Sequence, residues 1–234
     1  MLALALRPAA TQAPDPDALY RQRADLRRAS EAADVWAARA AGGRDFDASW
    51  KLARVSYWLG ITGDVAARRA ALERGVTAGE RAATLEPARP EGHFWLAACM
   101  GTLAESYGLV QGLKYRGRIK SELERVRTID AAWQQGSADR ALGWWYHQVP
   151  GLFGGSESEA EAHLRTALTY NAESTATLYF LAEVILERGR RDDAVATFRR
   201  VLNAPLDPDW TPEDRDFKNK ARARLDALGE RSGR

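Results

Sequence analysis

Apolar residues recur along residues 175–204 with the spacing of two helices and one break between them. Leu178, Leu181, Ala182 and Ile185 stand at i, i+3, i+4 and i+7, one stripe of a 3.6-residue helix. Ala194, Val195, Phe198, Val201 and Leu202 repeat the stripe after Gly189, a residue type that ends helices by turning left-handed. Pro205 and Pro208 prevent the second helix from continuing. A hairpin of this size cannot bury its apolar faces alone, so the pattern predicts others stacked on it.

Those others lie upstream. With Thr175 at position 1, Leu178, Leu181, Ala182, Ile185, Ala194, Phe198 and Val201 fill the apolar or small positions of a tetratricopeptide repeat. Further repeat starts fall at residues 47, 90 and 136, with Trp50 and Tyr57, Leu96 and Ala97, and Leu142, Gly143 and Tyr146 at the matching places. Their spacing exceeds the ~34 residues of the standard unit, so the first three repeats carry insertions, which emerge from one edge of a stacked array. Ahead of them, Leu19, Leu26, Ala29, Ala33, Trp36 and Ala40 predict one leading helix of about six turns, capped by Asp15 or Asp17 and stopped at Gly42-Gly43. At the far end Thr211 as N-cap, Pro212 at N1, and Glu213 and Asp214 in the first turn predict a capping helix. The expected fold is all-α: a tetratricopeptide-repeat-like α-solenoid of helical hairpins with insertions and a C-terminal capping helix, formed by residues 15–230 as a single array.

Composition narrows the function classes. The 234 residues, 45% hydrophobic, suffice for a sizeable core, and no Gly/Pro-rich linker is long enough to divide them into domains. Interspersed basic (34) and acidic (32) side chains leave a formal charge of +2, without the like-charge block that nucleic acid or an anionic membrane would select. Cys99 is the single cysteine, which excludes an intrachain disulfide framework and a cysteine-built zinc site. No run approaches the ~18 apolar residues of a membrane span. Residues 1–14, opening MLALALRPAATQA, read as a signal-like or flexible segment: a short apolar stretch precedes small residues, without a basic start.

Several motifs then permit a family comparison. HFWLAA at residues 93–98 with the Gly-rich, aromatic insertion after it, LGWWY at 142–146, VPGLFGG at 149–155 and DPDWTPED at 207–214 resemble the TatT component of tetratricopeptide-associated TRAP transporters. The first stretch is also similar to the regulator of microtubule dynamics proteins. The TatT resemblance implies a periplasmic or exported helical protein that associates with the substrate-binding protein of an importer for organic, hydrophobic or acidic ligands. The alternative is a cytoplasmic tetratricopeptide adapter for protein–protein interaction. A homo-oligomer is compatible with either.

In a stacked array the first helix of each pair lines the inner surface. The register assigns Lys51, Val55 and Trp58 to that surface from the first repeat, and Phe94, Ala98 and Gly101 from the second. The third supplies Arg140, Trp144, His147 and Gln148, and the fourth Tyr179, Glu183 and Glu187. Such a set suits a small organic ligand or an apolar peptide segment, with Lys51, Arg140 or His147 available for a carboxylate. Arg140, Trp144 and His147 share one helix face and, with Phe94 and Tyr179, read as a ligand pocket. Taken singly, Trp58 and Phe94 also read as core packed under the insertions. Val149, Leu152 and Phe153 are apolar, so the loop at 149–155 is expected to fold inward, as a plug or as a lid on the groove. Ser156 and Glu159 read as a capping box for the helix after it.

Enzymatic chemistry is thinly represented. His93, His147 and His163 form no i, i+4 pair, so no helical metal site is indicated. No GxSxG elbow occurs, the glycines at 151–155 lack the Lys-Ser/Thr of a phosphate loop, and Cys99 between Ala98 and Met100 reads as buried and inert. The expected function is therefore binding, without catalytic residues, metal or cofactor.

Overall fold

The computed structural model describes residues 14–106 and 112–229, and every regular element among them is helical. The signal-like reading of residues 1–13 lies outside the described residues. Two short leading helices, α1 (Pro16–Arg21) and α2 (Leu26–Ala40), precede four hairpins. These are α3 (Phe46–Thr62) with α4 (Val65–Leu85), α5 (Pro90–Ser106) with α6 (Arg116–Ile129), α7 (Trp133–Gln148) with α8 (Glu157–Tyr170), and α9 (Thr175–Glu187) with α10 (Arg191–Asn203). Helix α11 (Thr211–Ala227) packs on the last hairpin. Each hairpin meets the next, which is the stacking that the apolar pattern requires.

Local chemistry places most boundaries. Asp45 accepts from Ala48 N at 2.9 Å to start α3, and Ser174 accepts from Thr177 N at 3.3 Å to start α9. Gly189, at φ +75°, ends α9, while Arg190 N returns to Ile185 O at 3.2 Å and satisfies a terminal carbonyl. Ser156 accepts from Glu159 N at 3.3 Å, the forward half of the expected capping box. Helix α11 begins on Thr211 itself, one residue before the expected start, and the Thr211 hydroxyl donates to Asp207 O at 2.9 Å.

The single leading helix expected from the apolar stripe is two helices. Continuation would require the Arg23 carbonyl to accept from Arg27 N. Instead Arg27 N bonds to Asp25 Oδ1 at 3.0 Å, which starts α2, and the Arg23 carbonyl accepts the Trp58 indole N–H at 2.7 Å. A second irregularity opens α7. Gln134, Gln135 and Gly136 have φ of 44°, 61° and 72°, one left-handed turn that costs roughly 1–2 kcal/mol at each non-glycine residue. Gln135 holds it in place, accepting from Asn171 Nδ2 at 2.5 Å and donating to Asp207 Oδ2 at 3.1 Å. The right-handed part of α7 therefore begins beside the repeat start read at residue 136.

Two apolar cores result. Trp36, Leu52, Trp58, Trp95, Leu96, Met100, Leu123 and Leu142 belong to the first, and Leu164, Leu178, Leu181, Phe198 and Leu225 to the second. Tyr146 packs against both. Cys99 is buried, with its Sγ 3.4 Å from Ala53 O, and burial pushes the thiol up out of its reactive range. His93 ties α5 to α6. Its Nδ1 lies 2.6 Å from Glu122 Oε2 and its Nε2 3.1 Å from Pro87 O, two acceptors that require both ring nitrogens to donate. The bond to Glu122 accordingly raises the pKa of the imidazole, against the opposing effect of burial.

Two expectations concern stability. Leu181→Ala and Phe198→Ala each remove a fully enclosed side chain and cost about 2–5 kcal/mol in urea unfolding; no measurable loss at either would displace the repeat register. His93 has a folded pKa above the ordinary 6.5, so its stabilisation is complete below about 6.5 and is lost as pH rises through the folded value. Urea midpoints measured across that window fall with rising pH, and His93→Gln flattens the dependence.

Candidate functional site

Aromatic rings from three successive inner helices touch one another. Trp144 of α7 stacks on Phe180 of α9 with centroids 4.4 Å apart, and Phe180 meets Phe217 of α11 edge-on at 5.4 Å. Tyr179 packs against Phe217 at 5.6 Å and Phe198 at 5.7 Å. Trp144, Tyr179, Phe180 and Phe217 are all half-buried, so each keeps surface that a ligand could cover.

Arg140 projects one turn before Trp144 and is also half-buried. Among the described residues it makes no hydrogen bond and no ion pair. Burial pushes its pKa down from 12.5 to about 10, against weaker attraction from Tyr57 of α3 and Asp214 of α11. The guanidinium stays charged at neutral pH all the same. Asp214 forms no ion pair with it and is bonded elsewhere: Oδ1 accepts from the Thr175 hydroxyl at 2.5 Å and Oδ2 from Asp207 N at 2.7 Å. A partly desolvated cation without a partner is costly, and an incoming anion relieves that cost.

The remaining residues predicted for the inner surface are distributed differently. Trp58 is 6% exposed beneath Arg23, and Phe94 lies in the first core, edge-on to Trp95 and Trp133 at 5.1 Å each. Lys51 pairs with Asp17 at 2.7 Å. Glu183 is buried in a two-pronged bond from Arg224. His147 contacts the Trp144 ring at 5.1 Å, but its Nδ1 is engaged by Glu157 at 2.9 Å. Gln148 is exposed. Arg140, Trp144 and Tyr179 remain as the predicted residues that share the aromatic surface, with His147 at its edge.

The loop at 149–155 corrects an expectation. Val149 alone folds inward, half-buried against the first core, whereas Leu152 is 96% exposed and Phe153 43%. The backbone closes on itself instead, with Phe153 N bonded to Pro150 O at 2.8 Å and Ser156 N to Tyr146 O at 2.9 Å. Gly155 permits this approach, since a Cβ there would lie 1.5 Å from Val149 O. The tight turn uses the inner side of the loop for backbone and leaves Leu152 and Phe153 outward, where Arg116 lies 5.6 Å from the Phe153 ring.

Phe180 and Phe217 were absent from the predicted set. Phe180 follows the groove position Tyr179 by one residue and has no apolar role in the repeat register. Phe217 is the lone aromatic in a strongly polar capping helix, and that isolation is the signal that could have found it. Two cavities open elsewhere, a cleft of about 600 Å³ bordered by Arg39, Arg44, Phe46 and Arg89, and one of about 310 Å³ beside Leu181 and Arg200.

Two families match the chain. The one described as Regulator of microtubule dynamics protein 1-3 matches residues 17–153, and Tetratricopeptide repeat matches residues 155–211. The first is the second of the two resemblances read from the sequence. Among solved structures, a thermophilic tetratricopeptide-repeat protein of Thermus thermophilus superposes with a TM-score of 0.68 at 22% identity, over 90% of this chain and 97% of its own. At that identity the likeness is one of fold. No curated protein matches.

An unpaired, half-buried charge predicts an unusual sign. Arg140→Met keeps most of the apolar stem and removes the charge, so the variant is expected to gain about 1 kcal/mol of stability in thermal or urea unfolding. A loss of stability would assign Arg140 a structural partner.

Proposed function

The chain belongs to the family of regulator of microtubule dynamics proteins 1-3, and on that footing we propose that it is a non-enzymatic binding protein whose inner groove takes an apolar segment bearing a carboxylate from a partner protein. The observation that carries this reading is Arg140, charged, half-buried and without an ion pair, one helical turn from the continuous surface of Trp144, Phe180 and Phe217. A carboxylate placed against the guanidinium gains charge-assisted hydrogen bonds, and the rings cover whatever apolar body is attached to it. The stacked tetratricopeptide architecture supports a protein partner, because its inner helices present an extended surface rather than an enclosed chamber.

A second reading shares this chemistry. In it the ligand is a free organic acid and the partner is the substrate-binding protein of a TRAP-type importer, with the chain exported to the periplasm. The same cation beside the same rings favours it, since a planar aromatic acid fits them as well as a peptide end does.

Calorimetric titration separates the two. Benzoate and decanoate serve as free acids, and peptides ending in Phe or Leu with free or amidated C-termini serve as segments. The peptide reading expects binding of the free-carboxylate peptides, loss of about tenfold or more on amidation or on Arg140→Ala, and a comparable loss on Trp144→Ala. Binding of the small acids alone transfers the groove to the importer reading, which cell fractionation then checks by placing the chain in the periplasm. If Arg140→Ala and Trp144→Ala keep wild-type affinity for every binder, neither reading survives.

A further inference from the structure

Helix α1 has six residues, too few to be stable alone, and the side chains that hold it recur every third residue. Asp17 reaches Lys51 Nζ at 2.7 Å and Arg54 Nη2 at 3.6 Å. The Tyr20 ring lies 3.9 Å beneath the Arg54 guanidinium and tilts against Trp36 at 5.9 Å. Arg23, just past the helix, donates from Nε and Nη2 to the two oxygens of Glu213 at 2.9 and 2.5 Å, and its guanidinium covers Trp58 at 5.5 Å. The surface thus filled comes from α2, α3 and the start of α11, and its chemistry is ordered: cations, then an aromatic and guanidinium slot, then a carboxylate over an indole.

We propose that this surface is a recognition site for a helical segment of a partner protein that carries a carboxylate, an aromatic ring and a guanidinium at i, i+3 and i+6, and that α1 occupies it in the free chain. The charge complementarity at both ends selects that order of groups and rejects its reverse, because a reversed segment sets an acid against Glu213 and a cation against Lys51 and Arg54. An apolar residue at the place of Leu19, which is buried, would restore the contact that α1 gives up on leaving. The tether makes the resident segment a strong competitor, since it holds α1 at ~mM effective concentration beside its site. The site adjoins the Arg140 groove, since Tyr57 of α3 feels both Arg140 and Glu213, but it is built from other side chains and stands whether or not that groove binds a carboxylate.

The probe is a fluorescent peptide of residues 14–25, titrated by anisotropy against the full chain. Wild type is expected to bind it weakly, and Arg23→Ala, which loosens the resident segment and leaves its site intact, about tenfold more tightly or better, as follows from removing a ~mM internal competitor. Tyr20→Ala is a second opening variant with the same expectation. Adding Glu213→Gln to Arg23→Ala should return binding to the wild-type level, and adding Arg140→Ala should leave it unchanged. The proposal is overturned if neither opening variant binds better than wild type, if Glu213→Gln has no effect, or if Arg140→Ala abolishes capture. It is equally overturned if both opening variants fail to melt cooperatively, because α1 is then part of the core and not a replaceable occupant.

Discussion

A helical hairpin that is apolar on two sides needs a neighbour on each, and the ends of an array are where that requirement is hardest to meet. Here the first repeat is covered by α2, which buries Ala29, Ala32, Ala33, Trp36 and Ala40 against it. The last is covered by α11, which buries only Asp214, Ala221 and Leu225 and turns a strongly polar surface outward. Everything between can then repeat the same contacts. Tyr146, shared by the two cores, makes the middle continuous where the register passes from the elongated repeats to the standard one.

Polar groups inside this frame are paired almost everywhere. His93 with Glu122, His147 with Glu157 and His163 with Asp139 each join the first helix of a hairpin to its second, at 2.6, 2.9 and 2.7 Å. Breaking one of these hydrogen bonds leaves a partly buried polar group unmatched. They fix how the helices slide against each other. Against that background Arg140, with neither hydrogen bond nor ion pair among the described residues, stands out, alongside the buried Trp95 Nε1 and Gln134 Oε1, which also lack a partner.

The fold was legible in the sequence because stacking depends on local periodicity: residues such as Leu181, Ala182 and Phe198 reveal their roles within one repeat. The break between α1 and α2 was not, because it depends on Trp58 claiming the carbonyl of Arg23, and no local pattern records a hydrogen bond across 35 residues. The site was legible in part. Register alone gave Arg140, Trp144 and Tyr179, but it could not tell an inner-face residue that stays uncovered from one, such as Trp58, that another segment covers. Nor could it foresee the 149–155 loop, where apolar composition argued for burial and a self-bonded backbone turned Leu152 outward.

Solenoids ordinarily gain and lose units over evolutionary time at small penalty, because each unit touches only those beside it. The bond between Arg23 and Glu213 joins residues 190 positions apart and removes that freedom. One more hairpin would move α11 on by about the 8–10 Å that separates packed helices, far beyond the reach of a hydrogen bond. Duplication or deletion of a repeat would therefore have to be accompanied by loss of the contact between the ends. The contact is thus a mark of the present number of repeats, matched to it as a clasp is to the length of its strap, while stacking itself does not depend on it.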